Sequence, residues 1–438
     1  MNVISTISMI PKKSSAVADA AVKKIKHDGV ISFVEAAANR IYYDLIVWGF
    51  HLIFGSISRE EMIQQAKGSD RYWEYGSSEK IEIRNDESGV PDLFAEYAGT
   101  YDVSRPFVCE LDGGLLIGGD DPLVLTRNRK LVMETEKPIF GPRRGAAQAD
   151  TPFHKRTGYS DRTTSDRMRQ LCGGYVQSYN RFNDVPQFES VFPICRRAPS
   201  YGHWLLDQLP KIRGLERYKE ATGRDPTVIV ESDPPGWIRE TLSLVGVDDV
   251  VPLDKPVARA DSLVVSPSRE SVPRNQQVYE PSREDVDWLR REMKSRAPVP
   301  SEELPDRIYI SRENLGGRGR YVTNKEELKG VLKEFDVEWC TPETLSVAEQ
   351  VRLYENAEVI IGPHGAGLIN MVFAREAHVI ELMNKPYPTY QHLAQLCGHE
   401  FKYLRCGGEG DHSSPIEVDT TDLRDMLANI EGVAASKP

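Results

Sequence analysis

Residues 358–373, Glu-Val-Ile-Ile-Gly-Pro-His-Gly-Ala-Gly-Leu-Ile-Asn-Met-Val-Phe, read as a buried strand, a glycine-rich turn and a helix. Val359, Ile360 and Ile361 form a short β-branched run suited to a strand covered on both faces. Gly362, Gly365 and Gly367 permit tight backbone conformations and close approach of a second molecule to the main chain. Leu368 to Ala374 resumes an apolar, helix-compatible pattern. A turn that opens a helix presents unpaired backbone N–H groups and the positive end of the helix dipole, which favours a phosphate. His364 at the apex adds a side chain able to donate a hydrogen bond or carry charge. The bland alternative is an ordinary strand-to-helix turn that binds nothing. Either way the stretch belongs to an α/β chain.

A second segment, residues 199–213, reads Pro-Ser-Tyr-Gly-His-Trp-Leu-Leu-Asp-Gln-Leu-Pro-Lys-Ile-Arg. His203 and Asp207 are four apart and share a helix face, with Trp204, Leu205, Leu206 and Leu209 available for burial. Pro210 lacks a donor and predicts a kink. An imidazole and a carboxylate on one face can orient and polarise each other, which suits proton abstraction from a hydroxyl. A solvated helix-surface pair is the alternative, and the flanking Gly202, Trp204 and Pro210 argue against it.

Taken together, the two segments resemble glycosyltransferase family 61. The resemblance rests on His203-Trp204-Leu205-Leu206-Asp207-Gln208-Leu209-Pro210 and on Gly362-Pro363-His364-Gly365-Ala366-Gly367-Leu368-Ile369-Asn370. Ile308-Tyr309-Ile310-Ser311-Arg312 resembles the family's strand ending in Ser-Arg. Thr344 to Gln350 resembles its helix start, and Val379-Ile380-Glu381-Leu382 its strand ending in an acidic residue. These elements fall in order over about residues 100–405. The family's adjacent arginines are matched by Arg320 alone in Arg318-Gly319-Arg320-Tyr321-Val322-Thr323-Asn324, where Tyr321 takes the second place.

The resemblance implies a GT-B-like α/β fold, two Rossmann-like domains facing across a cleft. It also implies inverting transfer from a nucleotide-sugar, most simply a UDP-sugar, to a hydroxyl of a glycan or lipid-linked glycan. On that reading Arg312, Arg320, Pro363, His364, Gly365, Ala366, Gly367, Asn370 and Glu381 bind the nucleotide-sugar. The N–H groups of residues 365–367 and the two arginines would meet the diphosphate, and Glu381 the ribose hydroxyls. The base is His203 or Asp207; an imidazole ordinarily titrates nearer neutrality. Asp120-Asp121 and Asp248-Asp249 read as turn formers, so no cofactor and no metal is expected.

Composition sets outer limits. A net charge of -11 over 438 residues argues against a nucleic-acid partner. The six cysteines, Cys109, Cys172, Cys195, Cys340, Cys397 and Cys406, show no CxxC pairing, as in a reducing compartment. His392, Cys397, His399 and Cys406 match no familiar zinc spacing. No secretory signal is visible, and a cytoplasmic location follows, at the inner face of the cell membrane if the N-terminus binds lipid. Residues 41–57 are the most apolar run but fall short of the roughly 20 apolar residues a span needs. With Lys23, Lys24, Lys26 and Arg40 upstream, they suit a helix lying in a membrane surface, or equally a helix packed on the body.

Along the chain, residues 1–90 read as an N-terminal helical extension. Residues 91–280 read as an acceptor-side α/β domain, and 281–438 as the nucleotide-sugar domain. Short strands separated by Asp-Gly and Gly-Asp-Asp-Pro turns are expected at Phe107–Leu111, Gly114–Gly118 and Leu123–Thr126. Residues 141–170 read as an extended loop. Two other function classes fit parts of the pattern. A nicotinamide-dependent oxidoreductase would want Gly-x-Gly-x-x-Gly spacing, which the 362–367 glycines do not have. A non-catalytic binding subunit of a polysaccharide assembly complex would use nearly the same pocket as an enzyme.

Overall fold

A computed structural model describes residues 55–84, 94, 97–118, 122–135, 185–194, 200–272, 281–313, 320–385, 387–407, 414–430 and 432–433. Residues 1–54 and 141–170, with the expectations placed on them, lie outside this set.

The C-terminal part is built on five parallel strands in the order Glu338–Cys340, Arg307–Ile310, Val359–Pro363, His378–Met383, Glu400–Arg405. In chain order this is 2-1-3-4-5, a doubly wound arrangement with its switch point between the first and third strands. The helices between strands start where the sequence offers caps. Ser346 accepts from Glu349 N while Glu349 reaches back to Ser346 N, a capping box that starts Val347–Asn356. Ser282 caps Arg283–Arg296 in the same sense through Asp285 N. Ile360 and Ile361 are fully buried, as expected of a strand with both faces covered.

The N-terminal sheet departs from expectation. Among the described residues it has nine strands and is mixed, so only part of it is Rossmann-like. Val257–Val265, Gln187–Pro193, Thr227–Val230 and Val250–Pro252 form a parallel block. Phe107–Ile117 joins that block antiparallel and leads to a meander through Leu123–Thr126 and Leu131–Val132. The Asp112-Gly113 turn does not exist: Phe107–Ile117 is one 11-residue strand. A Cβ on Gly113 would lie 1.9 Å from Ala260 O, and one on Gly114 1.8 Å from Leu125 O. These glycines let a central strand sit close to neighbours on both sides.

A three-stranded sheet, Ser271–Val272, Gly99–Val103 and Glu79–Ile83, lies against the C-terminal half. There Arg84 N donates to Gln395 Oε1 at 2.9 Å, and Gln395 Nε2 donates back to Arg84 O at 2.8 Å. One apolar core runs through both large sheets. It holds Phe192, Val228 and Val264 from the first, Ile308, Ile360 and Val379 from the second, and Trp204, Leu242 and Leu289 from helices between.

Candidate active site

The switch point brings together the ends of two strands, and both carry predicted site residues. Arg312 follows Arg307–Ile310, and the glycine turn follows Val359–Pro363, whose last residue, Pro363, is buried. A Cβ on Gly365 would lie 1.6 Å from Arg312 Nη1. Gly365 therefore exists to admit the guanidinium; its own backbone is extended, with φ 169° and ψ 169°. Gly367 and Gly362 serve the same packing, since added Cβ atoms would stand 2.8 Å and 3.1 Å from Ile310 side-chain atoms. The expected helix is a 3-10 helix, Ala366–Phe373, whose first internal bond runs from Leu368 N to Gly365 O. The N–H groups of Ala366 and Gly367 precede that bond at the helix start.

His364 Nδ1 lies 2.5 Å from Glu381 Oε1. The imidazole is 15% exposed and the carboxylate 0%. Glu381 sits within the strand, opposite Gly362, and not at its open end. Complete burial pushes its carboxyl well above the usual carboxylate range, against the opposing pull of the Arg320 charge. Its second oxygen, Oε2, has no hydrogen-bond partner among the described residues. As placed, Glu381 touches the imidazole instead of offering an open carboxylate to a ribose. Arg320 adopts a left-handed φ of 63°, a costly conformation for arginine.

His203 and Asp207 lie on an irregular helical run: an α turn, Tyr201–His203, a π turn, Trp204–Gln208, a 3-10 turn, Leu209–Lys211, then the α-helix Ile212–Thr222. Pro210 explains the change of pitch. Its ring would collide with the carbonyl four residues back in an α-helix, and the wider π turn just before it moves that carbonyl away. His203 Nδ1 is 2.8 Å from Asp207 Oδ2, and the side chains are 39% and 41% exposed. Trp204 anchors the turn, fully buried, with Nε1 donating to Thr241 Oγ1 at 2.8 Å.

The two motifs meet through Asn370. Tyr201 OH donates to Asn370 Oδ1 at 2.9 Å, and Asn370 Nδ2 donates to Gln350 Oε1 at 2.8 Å. Both ends of this fully buried amide are thus engaged inside the protein, and it links elements instead of facing a ligand. A cavity of about 720 Å³, lined by Glu79, Lys80, Glu82, Arg84, Arg283 and His399 among others, contains none of the predicted site residues. Among the described residues, no group of three or more His, Cys, Asp or Glu is placed to hold a metal ion, and no helix is long and apolar enough to cross a membrane.

The Glycosyltransferase 61 family model matches residues 201–380, from the start of the His203 helical run into the strand that carries Glu381. Over that stretch, less than half of its length, the chain is similar to glycosyltransferase family 61. It is also 30% identical over 112 residues to the EGF domain-specific O-linked N-acetylglucosamine transferase of Drosophila melanogaster. That match covers 24% of this chain and 22% of the fly protein, so the chain spans about a fifth of that relative's length.

Three tyrosines of the site escaped the sequence reading. Tyr390 OH donates to Gly365 O at 2.5 Å, and Tyr354 OH to Gly367 O at 2.7 Å. Burial pushes both phenols up, so both remain donors, and each pins one carbonyl of the turn. Tyr390 also stands within electrostatic reach of Glu381, Arg320, Arg312 and Tyr387, so these groups form one cluster. Tyr387 packs edge-on against His364, with ring centroids 5.5 Å apart. No local motif marked them, because they come from the 347–356 helix and from the segment that leads into and opens the 389–397 helix.

Proposed function

We propose that this chain is an inverting enzyme that moves a sugar from a UDP-sugar to a hydroxyl of a glycan or lipid-linked glycan, at the cytoplasmic face of a membrane. The observation that carries this reading is Arg312 laid against Gly365 at the switch point, beside a histidine backed by a buried glutamate. Within a GT-B-like arrangement, the parallel C-terminal sheet is the donor side and residues 91–280 the acceptor side.

The chemistry follows from the parts. The diphosphate lies at the carboxyl ends of the strands, where open α/β sheets take their ligands. Arg312 and Arg320 offset the charge that grows on it as the anomeric C–O bond breaks, and the N–H groups at the helix start share that charge. No divalent ion is needed for this, and turnover is expected to survive EDTA. With Nδ1 on Glu381, His364 acts on the diphosphate through Nε2. While the His364–Glu381 pair keeps its proton, whichever of the two holds it, Nε2 carries a hydrogen and donates.

On the acceptor side, His203 Nδ1–H donates to Asp207, so Nε2 takes the acceptor hydroxyl proton as the new C–O bond forms. Asp207 then orients the ring and stabilises the imidazolium. If Asp207 is itself the base, His203 is the orienting partner.

Thermal shift against UDP-, GDP-, ADP- and CMP-sugars, NAD and NADP tests the donor. The fly relative's name makes UDP-N-acetylglucosamine the first to try. Stabilisation of the wild type by UDP-sugars, lost in His364→Ala, is expected; stabilisation by NAD alone would overturn the reading. Transfer lost in His203→Ala with the melting temperature unchanged separates an enzyme from a binding subunit.

A further inference from the structure

Large hydrophobic side chains left in solvent are few among the described residues: Val251, Val299, Tyr321 and Tyr387. Tyr387 is the one whose ring meets a donor-site side chain. It follows the carboxyl end of His378–Met383, so it projects from the same edge of the sheet as Arg312 and the glycine turn. It stands between Pro386 and Pro388 in sequence, and Pro388 caps the 389–397 helix with φ -76°, a ring-fixed backbone. Its hydroxyl is hydrogen-bonded to Thr389. The planes of Tyr387 and His364 cross at 82°, so the imidazole covers at most one face of the phenol ring. Tyr387 is nevertheless 38% exposed. A ring bonded through its hydroxyl to Thr389, packed edge-on against His364 and still partly exposed beside the proposed phosphate site is suited to stacking.

We infer that Tyr387 is a binding platform on which a ring of the bound nucleotide-sugar, its base or its pyranose, stacks. The inference rests on the donor site proposed above at His364, Arg312 and Arg320. Aromatic stacking on a base is sequence-tolerant and strong enough to change affinity by about tenfold or more. The ring therefore contributes affinity while the phosphate groups fix position.

Titration calorimetry with UDP and with UDP-N-acetylglucosamine on wild type, Tyr387→Leu and Tyr387→Phe tests it, with melting temperatures showing that each variant folds. Tyr387→Leu is expected to weaken binding roughly tenfold, while Tyr387→Phe, which keeps the ring, stays within about twofold. Weakening with both ligands assigns the stacked ring to the base, and weakening with UDP-N-acetylglucosamine alone assigns it to the pyranose. Equal affinities for wild type and Tyr387→Leu would overturn the platform and leave the donor site standing. A wild type that binds neither ligand would remove the donor site itself, and the platform with it.

Discussion

Glu381 shows how burial converts a familiar residue type to a different use. An acidic residue near a strand end in a nucleotide-binding sheet is expected to meet ribose hydroxyls, but this carboxylate is closed off and spends one oxygen on His364. Its value lies in keeping a proton on the pair. Glu381→Gln tests this, because an amide N–H donating to Nδ1 also leaves the hydrogen on Nε2. UDP affinity in Glu381→Gln is expected to stay near wild type at pH 7, whereas Glu381→Ala loses about tenfold or more. The stability sign is also fixed. A carboxyl raised in the folded state holds its proton where the unfolded chain, near pH 4.3, has released it. Wild-type stability relative to Glu381→Gln therefore falls as pH rises from about 4.3 toward the raised folded value. Melting curves across that range check the slope, and equal affinities for the Gln and Ala variants would sink the proton argument.

At the scale of elements, the sequence was most legible where side chains are apolar and local rules suffice. Leu123–Thr126 and the buried run Val359–Ile361 stand as strands where the pattern put them. It was least legible where a glycine's reason lies in another strand. Asp112-Gly113 carries a turn signal, yet Gly113 and Gly114 are glycines because backbone oxygens of neighbouring strands occupy the Cβ positions. The pitch change around Pro210 was visible only as a kink, since whether a helix answers proline by bending or by widening depends on what packs around it. The same reasoning separates two alanine substitutions. At Gly365 the obstacle is the far end of the flexible Arg312 side chain, so Gly365→Ala should fold within about 1 kcal/mol of wild type and lose nucleotide binding. At Gly114 the obstacle is main chain, so Gly114→Ala should lose more than about 3 kcal/mol, read by urea denaturation. A destabilised Gly365→Ala, or a tolerated Gly114→Ala, would contradict these packing assignments.

For the whole molecule, the decisive feature is that the two predicted motifs, some 160 residues apart in sequence, are joined from within. Tyr201 leads into the helical turn that carries His203, and Asn370 lies in the helix opened by the glycine turn, so one hydrogen bond joins the two motifs. Gln350 completes the line by holding the amide's other end while its own Nε2 donates to Pro342 O and Leu345 O. A buried polar chain in an otherwise apolar core is costly when half satisfied and specific when complete. It therefore fixes the distance between the His203 turn and the glycine turn more firmly than apolar contact alone, because apolar surfaces slide and hydrogen bonds do not. A double-mutant cycle measures this. Tyr201→Phe removes the donor, and Asn370→Ala leaves both the Tyr201 hydroxyl and Gln350 Oε1 without their partner, at a cost of about 1–3 kcal/mol for each stranded group. The double variant is expected to cost less than the sum by about 1 kcal/mol, since Tyr201→Phe no longer leaves a hydroxyl stranded. The functional reading adds a sharper expectation: Tyr201→Phe should lower kcat for transfer while UDP binding is kept, because the phosphate cradle does not include Tyr201. If kcat is unchanged at full donor saturation, the two sides are held in register by the shared apolar core, and the Tyr201–Asn370 bond contributes stability only.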